Sequence, residues 1–450
     1  NIVLILTDDM RVSDLAYLPA VQSLLVEQGA TFTNFATTTP GCAPARASIL
    51  RGQYPHNHGV RRGSGDHGGI ELFRTLGNED STIATWLQDA GYRTGLVGKY
   101  LNGYGSSEEM LAIPPGWSDW HGVSNEGYSR FTLNENGEEV RYNSRKEEQH
   151  LTNVLAEKAQ EFIAATAPTG QPFFLHVSTR APHGPAEPAS WYQQALPGLT
   201  LPRTDALNEA DVSDKPNWVR ILPLLTDAEL AALDAKFRAR LQTLLSVDDL
   251  VATLVEELAE QGVLESTYII FSSDNGYSLG EHRIFEAKGS PYEEAIMAPL
   301  VIRGPGIAPG QTLDVLASQV DLAPTFAEWG GAAIPAFVDG RSLAAILRGE
   351  GVPADWREVQ LVEHFVANGD RTHRQPAFEA LRNASMIYVA YGTGEEELYD
   401  VVADPHEVSN QAAAAAPELL AELRARTEAM YGCAGETCRT LEQKPLPTWP

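Results

Sequence analysis

Cysteine, lysine and long apolar runs are all scarce in this chain, and each scarcity excludes a class of protein. Only 3 of its 450 residues are cysteine, too few for a scaffold knitted together by disulfides. No uninterrupted apolar stretch approaches the ~20 residues that a transmembrane helix needs, so no membrane span is expected. Basic residues number 33 against 60 acidic ones, a formal net charge of -27. A surface that acidic repels nucleic acid and anionic membranes, and neither is expected as a partner. It can hold an anionic substrate only in a local cationic pocket. Lysine supplies just 7 of the 33 basic residues, which makes the position of each one informative.

What is present is a globular composition, 43% hydrophobic and 21% charged, over a length that exceeds one ordinary core. Asn1 to Leu6 is almost wholly apolar, as expected of a parallel strand covered on both faces. A helix is predicted over about Leu18 to Gln28, ended by Gly29, and another from Thr82 to Asp89 with Ser81 as its N-cap. Further strands are predicted at Arg93–Val97, Phe173–Val177, Thr267–Phe271 and Leu300–Ile302, with a long amphipathic helix at Asp227–Glu260. Alternating strands and helices imply an α/β fold, a large mixed and mostly parallel sheet sandwiched by helices. The stretch from about Gly105 to Asn217 is rich in Pro, Gly, Asn and Trp outside its own helix and strand, and is expected to frame an active site. Later come strand-like pieces (Val359–Glu363, Ser385–Tyr391, Glu397–Tyr399) and an Ala- and Glu-rich helix at Pro417–Tyr431. Residues 1–350 are therefore read as one catalytic domain. Residues 351–450 are read as a smaller C-terminal α+β subdomain, a short antiparallel sheet and a helix packed on the first.

The three cysteines separate by position. Cys433 and Cys438 are close enough in sequence to close a small disulfide loop, which suits an oxidising compartment. The chain also opens at Asn1, on an apolar run and without a Met, as after removal of a leader. A secreted or periplasmic location is the expectation that follows. Cys42 is left over, in a Gly- and Pro-rich stretch read as a loop. A lone cysteine is commonly a small buried hydrophobe, but Gly41, Pro44 and Arg46 describe an ordered loop beside a fixed positive charge.

Ligands of open parallel sheets bind beyond the carboxyl ends of the strands. Here strand after strand ends in polar residues suited to one reaction. The first runs into Asp8-Asp9, and the strand before Gly98 delivers Lys99. The Phe173 strand leads through Ser178-Thr179-Arg180 to His183, and the Tyr268 strand ends in Ser272-Ser273-Asp274-Asn275-Gly276. Three carboxylates and an amide oxygen brought together would repel without a cation, and hard oxygen ligands favour Ca²⁺ or Mg²⁺ over zinc. Each piece alone has a plainer explanation: turn and cap chemistry for the Asp pair and for Asp274-Asn275-Gly276, a solvated side chain for Lys99, loop ordering for His183. Yet two of the scarce lysines, Lys99 and Lys288, lie beside these residues in sequence. Chance explains one such coincidence better than the whole set.

Gly41-Cys42-Ala43-Pro44-Ala45-Arg46 resembles the C-x-P-x-R mark of the sulfatase family, whose Cys is oxidised to formylglycine. The resemblance extends through Leu6-Thr7-Asp8-Asp9, Arg51-Gly52-Gln53-Tyr54-Pro55, Gly98-Lys99-Tyr100-Leu101-Asn102, Ala181-Pro182-His183, Asp274-Asn275-Gly276-Tyr277 and Gly280-Glu281-His282. Glu397-Leu398-Tyr399-Asp400 with Asp404-Pro405 is similar to the family's C-terminal subdomain. The resemblance implies that Asp8, Asp9, Asp274 and Asn275, with the hydrated aldehyde made from Cys42, bind Ca²⁺, Mg²⁺ being the alternative. It implies that Arg46 and Lys99 hold that hydrate, that Lys288 and His183 grip the sulfate, and that His183 or Lys288 protonates the departing alcohol. A formylglycine-generating maturation enzyme is the implied partner. One hydroxyl of the hydrate would attack sulfur, and loss of a proton from the other would expel sulfate and restore the aldehyde. Many sulfatases carry a His two residues after the lysine that matches Lys99; here Leu101 stands there. Asn102, His183 or a water is expected to cover part of that base's role.

Gly98 to Tyr104, Ile113 to Trp117 and Leu241 to Asp249 look like the branch containing N-acetylglucosamine-6-sulfatases and heparan 6-O-endosulfatases. A sugar 6-O-sulfate, as a small or oligosaccharide ester, is thus the first expectation, with aryl sulfate beside it. His282 and Asn102 are expected to face the substrate, with Arg61, Arg62 and Arg74 as further candidates for the leaving-group pocket. The competing expectations are a phosphonate monoester or phosphodiester hydrolase using the same site, and a non-catalytic protein that binds sulfated glycans.

Overall fold

Ile2–Thr7, every residue buried, forms strand β1 of a computed structural model that describes residues 1–107, 111–125, 127–143, 149–366, 375–447 and 449. Its side chains alternate. Ile2, Leu4 and Leu6 enter one core and Val3 and Ile5 the other, as a strand covered on both faces requires. In chain order β2 (Ala30–Phe32), β3 (Phe35–Ala36), β4 (Arg93–Gly98), β5 (Asp119–Asn125), β6 (Arg130–Glu135) and β7 (Glu138–Asn143) follow. Then come β8 (Phe173–Ser178), β9 (Tyr268–Ser273), β10 (Leu300–Arg303), β11 (Gln311–Leu313) and β12 (Ala317–Ser318). The main sheet has 10 strands in the order β11-β2-β10-β9-β1-β8-β4-β5-β6-β7, and β3 pairs with β12 apart from it. The run β9-β1-β8-β4-β5 is parallel, while β10 and the β5-β6-β7 edge pair antiparallel. This is the mixed, mostly parallel α/β sheet that the sequence predicts.

Most elements fall where they are expected, the helices Asp227–Glu260 and Pro417–Tyr431 included. Three do not. The stretch after Leu18 is helical over 19–26, but only Pro19–Val21 is α-type; Gln22–Val26 winds more widely, and the helix ends before Gln28. The helix Ile83–Asp89 is capped by Thr82, not Ser81. The Ser81 hydroxyl accepts from Trp86 Nε1 at 2.9 Å, whereas Thr82 N donates to Thr85 Oγ1 at 3.0 Å. Cys42 is no loop residue; it begins the helix Cys42–Arg51, all of whose residues are buried. Pro44 suggests a loop, but in a first turn its missing N–H removes no hydrogen bond.

The C-terminal strands β13 (Gln360–His364), β14 (Phe378–Arg382), β15 (Met386–Tyr391) and β16 (Glu396–Asp400) form an antiparallel meander. One face, with Val362, Phe378, Ile387 and Tyr399, packs on Tyr292, Ile296 and Met297 next to the main sheet. The other, with Leu361, Leu381 and Leu398, is covered by Leu423 and Met430 of the helix Pro417–Tyr431. Cys433 and Cys438 are joined in a disulfide beside that helix.

Candidate active site

The parallel register sets which residues leave the sheet together. Thr7 pairs with Ser273, Leu6 with Ser178, and Gly98 with Ser178. Backbone pairing continues one step further: Asp274 N donates to Thr7 O, Thr179 N to Leu6 O and Lys99 N to Ser178 O. Asp8, Asp274 and Lys99 therefore emerge at one level. Only glycine serves at position 98, because a Cβ there would fall 1.9 Å from Ser178 O. Asp9 adopts φ 70°, unusual for a residue with a side chain. It is held there by Asp9 N donating to Asp274 Oδ1 at 3.0 Å and Met10 N donating to Ser273 Oγ at 2.9 Å.

Across these strand ends stands the N-terminus of the helix Cys42–Arg51. Cys42 and Arg46, four residues apart, share one face. Cys42 Sγ donates to Asp8 Oδ1 at 3.2 Å and accepts from Lys288 Nζ at 2.6 Å, and Lys288 Nζ also donates to Asp9 Oδ1 at 2.8 Å. Lys99 Nζ donates to Asp8 Oδ2 at 2.6 Å. Arg46 Nε donates to Asp274 Oδ2 at 2.9 Å and its Nη1 to Ser178 Oγ at 2.6 Å. Three carboxylates thus face three cations around one sulfur.

The charges respond to that packing. Burial alone would raise the Asp8 carboxyl, but Lys99 and then Arg46 hold it well below the usual range. Asp9 is likewise buried, and Lys288 brings it down. For Asp274, burial and then Asp8 prevail and push it up to about 6. Burial and then Asp8 push the Cys42 thiol well above its ordinary range. An unmodified thiol so placed stays protonated and is a weak nucleophile.

The donor set fits a hard divalent cation. One oxygen from each of Asp8, Asp9 and Asp274 and the sulfur of Cys42 lie within 4.8 Å of one another. Asn275 turns its Nδ2 to Asp9 Oδ1 at 2.6 Å. Its Oδ1 is buried with no hydrogen-bond partner among the described residues. An orphaned amide oxygen beside three carboxylates is what an oxygen-liganded ion would complete.

His183 follows a cis Ala181–Pro182 peptide at the mouth of this centre. Its Nδ1 donates to Gly184 O at 2.7 Å and its Nε2 lies 3.8 Å from Asp9 Oδ2. With Asp9, Lys288, Tyr277 and Arg240 it lines a cavity of about 660 Å³. Arg240 has no place in the sequence analysis. Buried on the long helix, it donates to Pro182 O at 3.1 Å and Asp9 O at 2.5 Å, and lies 4.4 Å over the Tyr277 ring. A single arginine among Phe237, Leu241 and Leu244 on an apolar face was the available signal.

The structure thus gathers Asp8, Asp9, Cys42, Arg46, Lys99, His183, Asp274, Asn275 and Lys288. It does not gather His282, which is fully buried, its ring tilted 30° to that of Tyr292 with centroids 3.9 Å apart, and its Nδ1 on Glu209 Oε2 at 2.6 Å. His282 (φ 50°) and Arg283 (φ 63°) both have left-handed backbone, and neither lines the cavity. Asn102 does not line the cavity either; its carbonyl accepts from Ile70 N. Arg74 pairs with Glu79 at 2.8 Å, and Arg61 lies over Phe365 and Tyr431. Leu101 is 2% exposed and belongs to the core.

Comparison with known proteins points the same way. A family model described as Sulfatase matches residues 1–332, and one described as N-sulphoglucosamine sulphohydrolase, C-terminal, matches residues 280–431. The N-acetylglucosamine-6-sulfatase of Homo sapiens is 33% identical over 477 aligned positions, covering 98% of this chain and 86% of that protein. An extracellular sulfatase homologue of Caenorhabditis elegans is 37% identical over 352 residues, 77% of this chain and 49% of that protein. The chain therefore spans about half the length of that relative. A solved structure holding its substrate D-glucosamine-2-N,6-O-disulfate matches at 23% identity with a TM-score of 0.82, over 99% of each chain.

Proposed function

The chain belongs to the sulfatase family, and from that premise we propose that it hydrolyses the 6-O-sulfate of a sugar, free or at the end of an oligosaccharide. The observation that carries the reading is the convergence on Cys42, whose sulfur lies 3.2 Å from Asp8 and 2.6 Å from Lys288. Cys42 is oxidised to formylglycine by a separate maturation enzyme. The hydrated aldehyde offers two hydroxyls in place of the thiol, one to attack sulfur and one to release sulfate. Asp8, Asp9, Asp274, Asn275 and residue 42 would hold a divalent cation, Ca²⁺ ahead of Mg²⁺. When bound, it polarises the sulfate oxygens and lowers the pKa of the attacking hydroxyl.

The remaining work falls to side chains already in place. Lys99 keeps Asp8 ionised, and Arg46 fixes Asp274 against the sheet. Lys288 reaches both residue 42 and the cavity, so its ammonium can offset charge on the sulfuryl oxygens as the bond to the alcohol breaks. His183 commits Nδ1 to Gly184 O, which leaves Nε2 to pass a proton to the departing alcohol and take one back. With Leu101 buried in the core and Asn102 off the cavity, His183 is also our choice for the base that frees sulfate. The sugar preference is supported by the human relative's name and the ligand of the structural neighbour. The Cys433–Cys438 disulfide and the extracellular relative support a secreted or periplasmic location.

Mass spectrometry of the peptide around Cys42, from protein made with its maturation enzyme, should show loss of sulfur and two hydrogens and gain of one oxygen. The same protein should release sulfate from N-acetylglucosamine 6-sulfate. A plain thiol in fully active protein would overturn the reading. Faster turnover of an aryl phosphodiester than of an aryl sulfate would replace it with the phosphodiesterase alternative.

A further inference from the structure

A second group of ligand-type side chains converges in the interior, at the junction with the C-terminal subdomain. One ring nitrogen of His282 and one carboxylate oxygen from each of Glu294 and Glu407 lie within 4.8 Å of one another. His282 and Glu407 are 0% and 1% exposed. They come from three places: His282 from the loop after β9, Glu294 from the short helix Glu293–Ile296, and Glu407 from beyond β16.

Each of the two buried groups has one atom committed and one not. His282 Nδ1 donates to Glu209 Oε2 at 2.6 Å, and Glu407 Oε2 accepts from Glu293 N at 2.8 Å. His282 Nε2, Glu407 Oε1 and Glu294 Oε2 are buried with no hydrogen-bond partner among the described residues. With its proton on Nδ1, His282 presents a bare lone pair at Nε2, and both carboxylate oxygens are acceptors as well. Such atoms turned on one another are relieved either by a proton, toward which burial pushes Glu294 (up to about 8) and Glu407, or by a metal cation that stands between them. A carboxylate that holds Nδ1 while Nε2 faces inward is also how metal-ligating histidines are commonly oriented.

We propose that His282, Glu294 and Glu407 bind a divalent transition-metal ion of the zinc type, which pins the C-terminal subdomain to the back of the catalytic loop. The donor set, one imidazole nitrogen and two carboxylates, suits zinc better than calcium. It thereby differs from the oxygen-rich set around Cys42. The mechanical link is short: Glu294 O accepts from Tyr277 N at 2.6 Å and Ala295 O accepts from Gly276 N at 3.0 Å. The segment carrying Glu294 therefore supports the loop that carries Asp274 and Asn275. The inference stands apart from the proposed sulfatase chemistry, since no residue in it touches the reacting atoms.

The test uses the full chain, stripped with a chelator, dialysed against zinc in the presence of excess calcium, and read by elemental mass spectrometry. The unmutated protein and the Cys42→Ala variant should each keep about one zinc per chain. His282→Gln and Glu407→Gln should lose it while retaining calcium. X-ray absorption at the zinc edge of Cys42→Ala should show nitrogen and oxygen neighbours with an imidazole signature and no sulfur, and this reading needs neither junction variant to fold. Zinc absent from Cys42→Ala, or zinc kept undiminished by folded His282→Gln, would overturn the site. Either result would point to a proton shared between Glu294 and Glu407 in its place.

Discussion

Two buried charge clusters in this molecule look alike in composition and differ in completeness. At the junction between the main sheet and the C-terminal segment, Asp321 takes both terminal nitrogens of Arg357, and the backbone N–H groups of Ser318 at 2.8 Å and Arg341 at 2.9 Å. Glu442 accepts from Tyr54 OH at 2.5 Å and Arg357 Nε at 3.2 Å, and pairs with Arg341. Every side-chain oxygen and nitrogen of Asp321, Glu442 and Arg357 has a partner. Around Cys42 the carboxylates, Arg46 and Lys99 are as deeply buried and Lys288 is half-buried, yet Asn275 Oδ1 and Arg46 Nη2 have no hydrogen-bond partner among the described residues. A closed network spends its charges on stability, whereas an open one keeps donors and acceptors for something that arrives later. Completeness, more than burial, separates the structural charges from the chemical ones.

The comparison breaks first at Cys42. Cys42→Ala should lower turnover by ~10³-fold or more, because it removes the residue on which the proposed covalent intermediate forms. Its thermal midpoint should stay close to that of the parent. Exhaustive chelation of the divalent cation proposed for this site should have a comparable effect, restored when calcium is returned. Turnover assays beside circular dichroism check both; full activity in either condition removes the open cluster from the chemistry.

The closed network should behave in the opposite sense. Arg357→Ala leaves Asp321 buried without its cation and Glu442 with Arg341 alone, and such losses run to roughly 3–5 kcal/mol. Denaturant unfolding should show that loss, while turnover per folded molecule remains near the parent value. A large fall in kcat without destabilisation would join the two clusters into one.

What was legible from the sequence follows the same division. The strand ends carrying Asp8, Asp9, Lys99, Asp274 and Asn275 could be read because short apolar runs stop abruptly at polar residues. Parallel pairing then brings distant stops together, β1 with β9 and β8, and β8 with β4. Direction could not be read. His282 lies within a few residues of Tyr277, which lines the cavity, but its ring is buried against Glu209 and Tyr292 instead. Arg240 escaped notice because its importance rests on reaching Pro182 O and Asp9 O, far from it in the chain. The strand β14 went unread as well; its pattern takes meaning only from pairing with both β13 and β15.

Arg240 sharpens the contrast at intermediate strength, since it is a positioning residue between the two kinds of cluster. It ties the backbone of Pro182, next to His183, to that of Asp9, and stacks on Tyr277. A lysine keeps the charge but cannot make both bonds and the planar stack. Arg240→Lys should lower kcat/KM about 10- to 100-fold by displacing His183 relative to Asp9. Unchanged kinetics in a folded variant would show that the loop holds its geometry without this tie.

The smallest effect is expected in the C-terminal sheet, where charge tunes stability alone. Glu379 on β14 lies opposite Glu363 on β13 in an antiparallel pair. Burial and then Glu363 push its carboxyl up from 4.5 to about 7. The folded chain therefore holds a proton that the unfolded chain has already lost in this interval. Folding linked to that proton is fully favoured below about 4.5, and the contribution fades as pH rises through about 7. Glu379→Gln keeps a neutral side chain at every pH, so its thermal midpoint should decline less than that of the parent across the same range. Turnover should not follow, because Glu379 does not line the cavity beside Cys42. Parallel melting curves for parent and variant would refute the assignment and leave the like-charged pair relieved by the solvent at its edge.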